Sequence, residues 1–253
     1  MGMSHSQCAI TPEDLDDNNY CMLSSPSFDM FCHLNFAKKL AELYPNELLN
    51  IEHVIIELPY YIFNYDLSKF GAFVYTKLKY FDIIDNYHHF GKTLEQKKLI
   101  SEFERFKAIF GRENSEKKFV KQRNPIKQIL KKIYNMYCIA TNNDKVWNKI
   151  YRDTIQENRD LWHDLLKLLG ETCPKAKISV LVMPFNPIFR YSHINSINRM
   201  KTVFLESLGE GGFRIIDHFA RLNRTCYFDD HCHLNKKGAS KYMTIIKAAL
   251  GDK

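Results

Sequence analysis

The chain has 253 residues, and 45% of them are hydrophobic, which is enough for one large α/β domain with a core of its own. A net charge of +7 at pH 7 favours anionic surroundings such as an acidic glycan, a phosphorylated lipid carrier or a membrane surface. No apolar run approaches the roughly 20 residues that cross a bilayer, and no signal peptide opens the sequence. We therefore expect a cytoplasmic protein without a transmembrane segment, and only peripheral contact with a membrane stays open.

The seven cysteines are scattered, odd in number and without C-x-x-C spacing. Such a set is typical of reduced cytosolic thiols rather than of a disulfide framework. The sequence contains no Walker loop, no dinucleotide fingerprint and no zinc motif. We expect no cofactor, no metal and no nucleic-acid partner.

Apolar periodicity predicts helices that alternate with strands. Helical spacing predicts a helix over 28–43, which Pro45 ends, and a second helical run over 147–169. Short runs rich in β-branched residues predict strands over 53–58, 177–184 and 213–217, and a closing helix follows over 240–250. This alternation predicts a three-layer α/β/α fold with a doubly wound, mainly parallel sheet, in which ligands gather at the carboxyl ends of the strands.

The stretch 65–143 departs from this alternation, because it is rich in aromatic and Lys residues and has few β signals. We predict a helical insertion there, within a single domain that spans 1–253. Its segment 117–127 concentrates positive charge beside apolar residues, which is typical of a solvated helix face and also fits a groove for an anionic substrate. The aromatic residues around its start fit stacking on sugar rings as well as packing between sheet and insertion; they are Tyr60, Tyr61, Phe63 and Tyr65.

An acid precedes a histidine by three residues near the end of the chain, in the sequence DDHCHLNKKGA. A serine hydrolase needs a histidine base and a carboxylate that holds its ring in the productive tautomer, and Asp230 and His233 match both roles. Asp229 and His231 are neighbouring alternatives. The competing interpretations are a helix-capping loop, for which Asn235 is equally suited, and a metal site formed by the acids and histidines of this motif.

The candidate nucleophile lies at the other end of the chain, in the short Gly/Ser turn GMSHSQ. In this hypothesis Ser4 attacks an ester carbonyl, His233 accepts its proton, and Asp230 orients the imidazole. Ser6 and the serines of the segment 24–27 are competing nucleophiles, although the latter are also typical of a loop that starts the helix over 28–43.

Taken together, G-x-S-H-S near the N-terminus and D-x-x-H-L-N-x-x-G-A near the C-terminus resemble the first and last sequence blocks of the SGNH/GDSL hydrolase superfamily. Within it, the chain is most similar to divergent members encoded with bacterial surface-polysaccharide biosynthesis genes. The resemblance implies an SGNH fold, similar to that of flavodoxin, and a Ser-His-Asp mechanism through an acyl-enzyme.

The sequence departs from the superfamily pattern in three places. Met3 stands where the G-D-S signature has an Asp, and Glu57-Leu58-Pro59-Tyr60 follows the first predicted strand instead of a G-x-N-D motif. Only three residues precede Ser4, although the superfamily places its nucleophile after a buried strand. Either an upstream strand is lacking, or Ser4 is not the nucleophile.

The missing G-x-N-D asparagine leaves the oxyanion hole incomplete. The backbone N–H of Ser4 supplies one donor, and we expect the second from the loop that contains Ser25 or from Asn64. Asn186 and Tyr191 follow the strand predicted over 177–184, so we expect them to line the substrate pocket on the same rim.

We therefore predict a serine-dependent ester hydrolase (an esterase such as a deacetylase) or O-acyltransferase that acts on an acylated bacterial surface glycan, such as a capsule, or on its precursor. The expected partner is a carbohydrate or an acylated small molecule, which the basic charge allows to be anionic. Two alternatives stay open: an inactive protein of the same fold that binds a glycan or a partner protein, and a transferase of a phosphoryl-linked substituent.

Overall fold

The protein is described by a computed structural model that covers residues 1–10, 21–25, 27–70, 76–77, 80, 83–84, 86–110 and 145–250. It is a mixed α/β structure with a parallel sheet in the order β1-β2-β3. The strands are β1 at His53–Glu57, β2 at Lys177–Val182 and β3 at Phe213–Asp217. All three lie where strands were predicted, and β3 has the predicted bounds.

The sheet continues past β1 through the first residues of the chain. Met1 N donates to Ile55 O at 2.6 Å, and Glu57 N donates to Met1 O at 2.9 Å. Met1 thus bonds to the two residues that flank Ile56, which is the hydrogen-bond pattern of a parallel pair. On its other side, Gly2 forms a parallel bridge with Ser24. Met1 and Gly2 therefore occupy a strand position shortly before Ser4.

Nine helices accompany the sheet in the described part of the chain: α1 at Ser4–Ala9, α2 at Met30–Leu43, α3 at Pro45–Leu48, α4 at Leu94–Phe110, α5 at Lys145–Asn148, α6 at Arg152–Thr172, α7 at Pro187–Ser192, α8 at Ile194–Leu208 and α9 at Lys236–Leu250. Short 3-10 turns lie at Ile62–Asn64, Leu67–Phe70 and Thr225–Tyr227. The predicted helix over 28–43 corresponds to α2, whose cap is Asp29, and the closing helix begins four residues earlier than predicted. Sequence patterns did not indicate α7 and α8.

Alternate residues from Val180 to Met183, along β2 and one position beyond it, belong to two separate buried clusters. Val180 and Val182 pack in the larger cluster, which includes Trp162 of α6. Leu181 and Met183 pack in a smaller cluster with residues of β3 and α9. Because successive side chains of a strand point to opposite faces, both faces of the sheet are covered.

The helical run predicted over 147–169 is divided into α5 and α6, because Asn64 binds the backbone between them. Its Nδ2 donates to Val146 O at 2.8 Å and to Lys149 O at 2.7 Å, and its Oδ1 accepts from Tyr151 N at 2.8 Å. The buried amide thus satisfies backbone groups at the end of α5 and the start of α6.

The insertion predicted over 65–143 is described in part. Its described residues include the turn Leu67–Phe70 and the helix α4, whereas the basic segment 117–127 lies outside the described residues. Among the helices that the structure describes, none combines the length and apolar character required to cross a membrane.

Candidate active site

Residues from the two ends of the chain meet at the carboxyl end of the sheet. Ser4 is the first residue of α1, and Asp230 and His233 lie in the loop that precedes α9. Ser4 Oγ is 2.8 Å from His233 Nε2, and His233 Nδ1 is 2.6 Å from Asp230 Oδ2. The structure therefore brings together the three residues that the sequence nominated as nucleophile, base and orienting acid.

The carboxylate of Asp230 is held in place by the backbone of its own loop. Its Oδ1 accepts hydrogen bonds from Cys232 N at 2.9 Å and from His233 N at 2.8 Å. Burial raises the pKa of Asp230, but its hydrogen bonds to His233 and Cys232 outweigh burial and lower that pKa well below its usual range. Asp230 is therefore ionised, with one oxygen fixing the loop and the other facing the imidazole.

The Asp230 carboxylate determines which nitrogen of His233 donates a hydrogen bond and which one accepts. An ionised acid accepts only, so Nδ1 carries the proton that is donated to Asp230, and Nε2 is left to accept from the Ser4 hydroxyl. Burial lowers the pKa of His233, but the hydrogen bond and the charge of Asp230 outweigh burial and raise it above its usual value. The ring is thus oriented and made more basic by the same group.

A second carboxylate, that of the buried Glu57 at the end of β1, organises the turn that carries Ser4. Its Oε2 accepts from Met3 N at 2.7 Å and from Ser6 N at 3.0 Å, and its Oε1 is 2.5 Å from His5 Nδ1. Burial raises the pKa of Glu57, but the charge and hydrogen bond of His5 outweigh burial and lower it to about 2. Sequence reasoning missed this role, although an acid inside a buried strand was a visible signal.

The turn also depends on Gly2, which lies directly above this carboxylate. A Cβ at Gly2 would come within 2.0 Å of Ser6 Oγ and 2.9 Å of Glu57 Oε2. The close approach of backbone to side chain therefore requires glycine at this position.

A pocket of about 280 Å³ opens beside Ser4. Tyr61, Tyr65 and Trp147 form an aromatic wall, and Trp147 packs edge-on against Tyr61 at a centroid distance of 5.0 Å. Ser27 also lines the pocket, and its φ of 63° is the left-handed conformation that residues other than glycine adopt rarely. The complete lining consists of Met3, Ser4, His5, Ser27, Tyr61, Tyr65, Val146, Trp147, His231, Cys232 and His233.

The aromatic residues considered for sugar stacking fall into two pairs. Tyr60 and Phe63 are buried in the larger cluster, where they pack as core residues. Tyr61 and Tyr65 are partly exposed and line the pocket. The packing interpretation therefore holds for Tyr60 and Phe63, and stacking on a sugar ring stays a prediction for Tyr61 and Tyr65.

The other residues expected to bind substrate do not line this pocket. The Asn64 amide is occupied by the backbone between α5 and α6, and Tyr191 is 87% exposed on α7. Ser25 is buried, and its N–H donates to Gly2 O at 3.1 Å. In the same loop, Ser27 is the serine that lines the pocket.

Asn186 does not line the pocket beside Ser4 and instead supports the loop that contains Asp230. It caps α7 by accepting from Ile188 N at 3.0 Å. Its Nδ2 donates to Asp230 O at 3.1 Å, and its backbone N–H donates to His231 O at 2.9 Å. Asn186 therefore ties the loop of Asp230 to the end of β2.

Three groups of described residues bring side chains of metal-binding type together: His5, Cys232 and His233; Asp66, His88 and His89; and Asp230, His231 and Cys232. In the first group both nitrogens of His233 are engaged, and burial raises the pKa of the Cys232 thiol well above its usual value. In the second, His89 Nδ1 is 2.8 Å from Asp66 Oδ2, and the Nε2 atoms of His88 and His89 lie 3.0 Å and 3.2 Å from Glu157 Oε1, so the two rings share carboxylate partners. The first and third groups share residues with the hydrogen-bonded path from Ser4 to Asp230. The arrangement of these side chains suits proton transfer better than ion binding.

No protein-family model matches this chain, and it has no significant match among curated proteins or solved structures.

Proposed function

We propose that the chain is a serine ester hydrolase or O-acyltransferase that forms an acyl-enzyme on Ser4. The observation that carries this proposal is the continuous hydrogen-bonded path from Ser4 Oγ through His233 to Asp230. A serine hydroxyl bound to an imidazole that is itself bound to an ionised carboxylate is the arrangement that activates serine as a nucleophile.

The reaction follows from these contacts. Ser4 Oγ bonds to the ester carbonyl carbon, its proton passes to His233 Nε2, and the carbonyl electron pair moves to the oxygen. Collapse of this intermediate breaks the bond to the leaving alkoxide, which takes the proton from His233. Water or a sugar hydroxyl then attacks the acyl-enzyme by the same path, which gives hydrolysis or transfer.

The intermediate needs hydrogen-bond donors for its negatively charged oxygen. Ser4 begins α1, so its backbone N–H is one of those that a helix leaves without an internal acceptor. Ser27 lines the same pocket, and its unusual backbone conformation supports the loop 24–27 as the source of a second backbone donor. Ser27 replaces Ser25 and Asn64 in this role.

The strand order supports membership in the SGNH superfamily with its doubly wound α/β/α fold. From one edge, the hydrogen bonds run from the segment at Ser24 to residues 1–2, and then to β1, β2 and β3. Numbered along the chain, this order is 2-1-3-4-5, which is a doubly wound order whose ligands bind at the carboxyl ends of the strands. Ser4 follows the strand position numbered 1, which residues 1–2 occupy.

We propose an acylated bacterial surface glycan, or its precursor, as the substrate class. The aromatic wall formed by Tyr61, Tyr65 and Trp147 suits the apolar face of a sugar ring, and the chain's net charge of +7 favours an anionic glycan. A wall that keeps water away from Ser4 while a sugar is bound would favour transfer to a sugar hydroxyl over hydrolysis.

The test is covalent labelling of the purified protein with a fluorophosphonate, together with hydrolysis of p-nitrophenyl acetate. We expect the label on Ser4 by peptide mapping, its loss in Ser4→Ala and His233→Ala, and its retention in Ser192→Ala, which changes an exposed serine on α7. A folded wild-type protein that takes up no label would contradict the proposal and favour a binding protein. Label on a different serine would reject Ser4 as the nucleophile.

A further inference from the structure

A second pocket, of about 410 Å³, lies between α7, α8 and the segment that follows β3. Among the described residues, its lining and that of the pocket beside Ser4 have no member in common. Phe185 lies between the two pockets, because its ring centroid is 5.0 Å from that of Phe219 in the second lining and 5.5 Å from that of His5 in the first. The ester chemistry proposed at Ser4 therefore leaves the second pocket without a role.

Three cationic side chains line the second pocket: Arg190 of α7, Lys201 of α8 and Arg221 beyond β3. The acid in its described lining is Asp217, whose Oδ2 accepts from Lys201 Nζ at 2.8 Å and from Tyr60 Oη at 2.6 Å. Burial raises the pKa of Asp217, but its hydrogen bonds to Lys201 and Tyr60 outweigh burial and lower that pKa. Asp217 is thus ionised, and three cations against one carboxylate leave an excess of two positive charges.

Arg190 is held in place by the backbone that follows β3. Its Nη2 donates to Leu222 O at 3.1 Å and to Asn223 Oδ1 at 3.2 Å, and its Nε is buried without a hydrogen-bond partner in the part of the chain that the structure describes. Burial lowers the pKa of Arg190. Neither Arg190 nor Arg221 forms an ion pair with a described carboxylate. A partly buried cation that no acid balances is unfavourable, and an anionic ligand would offset its desolvation.

We propose that the second pocket is an anion site that binds a phosphate monoester group between Arg190 and Arg221. Guanidinium groups present N–H donors in a planar fork that matches the oxygens of a phosphate. A phosphate monoester has a charge of roughly −2 near neutral pH, which balances the excess of two positive charges, whereas a single carboxylate balances one of them. The site binds this group without a chemical step, so the inference does not depend on the ester chemistry at Ser4.

The rest of the lining indicates what the phosphate is attached to. Ile194 and Ile197 of α8 add apolar surface beside the cations, and Ile194 is exposed. A molecule with an apolar part next to its phosphate therefore fits better than inorganic phosphate alone. A soluble sugar phosphate and the headgroup of a phosphorylated lipid both have this chemistry.

The test is isothermal titration calorimetry with N-acetylglucosamine 1-phosphate and with glucuronate, at constant ionic strength. We expect the sugar phosphate to bind more tightly than the carboxylate sugar. Arg190→Gln and Arg221→Gln should each raise its Kd about 10-fold or more, because each change removes charge-assisted hydrogen bonds. Arg224→Gln is the matched control, because it removes the same charge from an exposed residue three positions beyond Arg221 and outside the pocket, and its Kd should equal that of wild type.

Flotation with phosphatidylcholine vesicles, with and without phosphatidic acid, distinguishes the two sources of the phosphate. Binding of the sugar phosphate without flotation identifies a soluble ligand. Flotation that requires phosphatidic acid, is lost in Arg221→Gln and is kept in Arg224→Gln identifies a lipid headgroup. The control matters because a chain with a net charge of +7 is also attracted to any anionic membrane.

The inference is overturned if the wild type binds neither the sugar phosphate nor the phosphatidic acid vesicles, or if glucuronate binds more tightly than the sugar phosphate. Equal weakening in Arg221→Gln and Arg224→Gln would also overturn it, because the attraction would then be nonspecific. If Arg190→Gln does not fold, Arg221→Gln decides the question, because Arg221 is exposed. Ser4→Ala should bind phosphate as wild type does, so failure of the ester chemistry and failure of this site are separate results.

Discussion

Ser4 and His233 are separated by 229 positions in sequence, yet Ser4 Oγ lies 2.8 Å from His233 Nε2. The contact joins the first helix of the chain to the loop before the last one, and α1 and α9 also pack against each other. Because Asp230 is bonded to the opposite nitrogen of the same ring, His233 has one nitrogen left to accept a hydrogen bond, and that nitrogen faces the Ser4 hydroxyl.

Replacing Asp230 by Asn should nearly abolish activity without unfolding the protein. An amide in place of the carboxylate no longer selects the tautomer in which Nε2 is free to accept, and the corresponding change in a serine protease lowers kcat about 10⁴-fold. We expect a loss of similar size in p-nitrophenyl acetate turnover. Asp229→Asn is the matched control, because Asp229 is exposed and adjacent. Equal losses in both variants would show that Asp230 has no special role.

The rate should rise with pH through a midpoint above 6.5, the usual value for histidine. His233 must be neutral to accept the Ser4 proton, and the hydrogen bond and charge of Asp230 raise its pKa despite the opposing effect of burial. The profile of kcat/KM against pH in wild type measures this midpoint. A midpoint below 6.5 would contradict the described pairing with Asp230.

Asn64→Ala should reduce the free energy of unfolding by about 3 kcal/mol, because it leaves two carbonyls and one N–H without their partner. Since α5 carries Trp147 into the pocket wall, KM for a sugar ester should rise as well. Urea unfolding and steady-state kinetics measure the two effects. Asn195→Ala changes an exposed asparagine on α8 and should leave both values unchanged. A stability equal to that of wild type would mean that Asn64 does not hold α5 and α6.

Tyr65→Ala should weaken the binding of a sugar ester and spare a small ester. Loss of one aromatic contact weakens the binding free energy by about 1 kcal/mol, so KM for an O-acetylated hexosamine should rise roughly 5- to 10-fold. The kcat for p-nitrophenyl acetate should stay close to that of wild type. Tyr191→Ala is the control, because Tyr191 is 87% exposed and outside the pocket. Similar KM values for the sugar ester in all three proteins would argue against a carbohydrate substrate.

Local patterns in the sequence were sufficient for the strands and for the three residues of the hydrogen-bonded path from Ser4 through His233 to Asp230. The acid three residues before His233 and the Gly/Ser turn at Ser4 are short-range signals, and β3 begins and ends where its apolar run does. These features depend on neighbours in sequence, which is why periodicity and spacing were enough to find them.

Features that depend on distant partners could not be predicted in this way. The break between α5 and α6 requires Asn64, which is 85 residues from Lys149, so the sequence near the break contains no sign of it. Glu57 is likewise 54 residues from Met3, and only the folded sheet brings the two together. Asn64 was expected as an oxyanion donor, but its amide is hydrogen-bonded to the backbone of Val146, Lys149 and Tyr151 instead.

Because the turn that carries Ser4 is attached to Glu57, its geometry depends on how completely the protein has folded. Met3 and Ser6 are bound to a side chain that β1 carries, so their turn cannot take its final shape until the N-terminal residues have docked beside that strand. During refolding, the reactivity of Ser4 toward a covalent probe should therefore appear together with the last sheet contacts, and later than helix formation measured by circular dichroism. Under the proposed function, an ester would therefore be attacked only by a chain whose sheet has finished assembling.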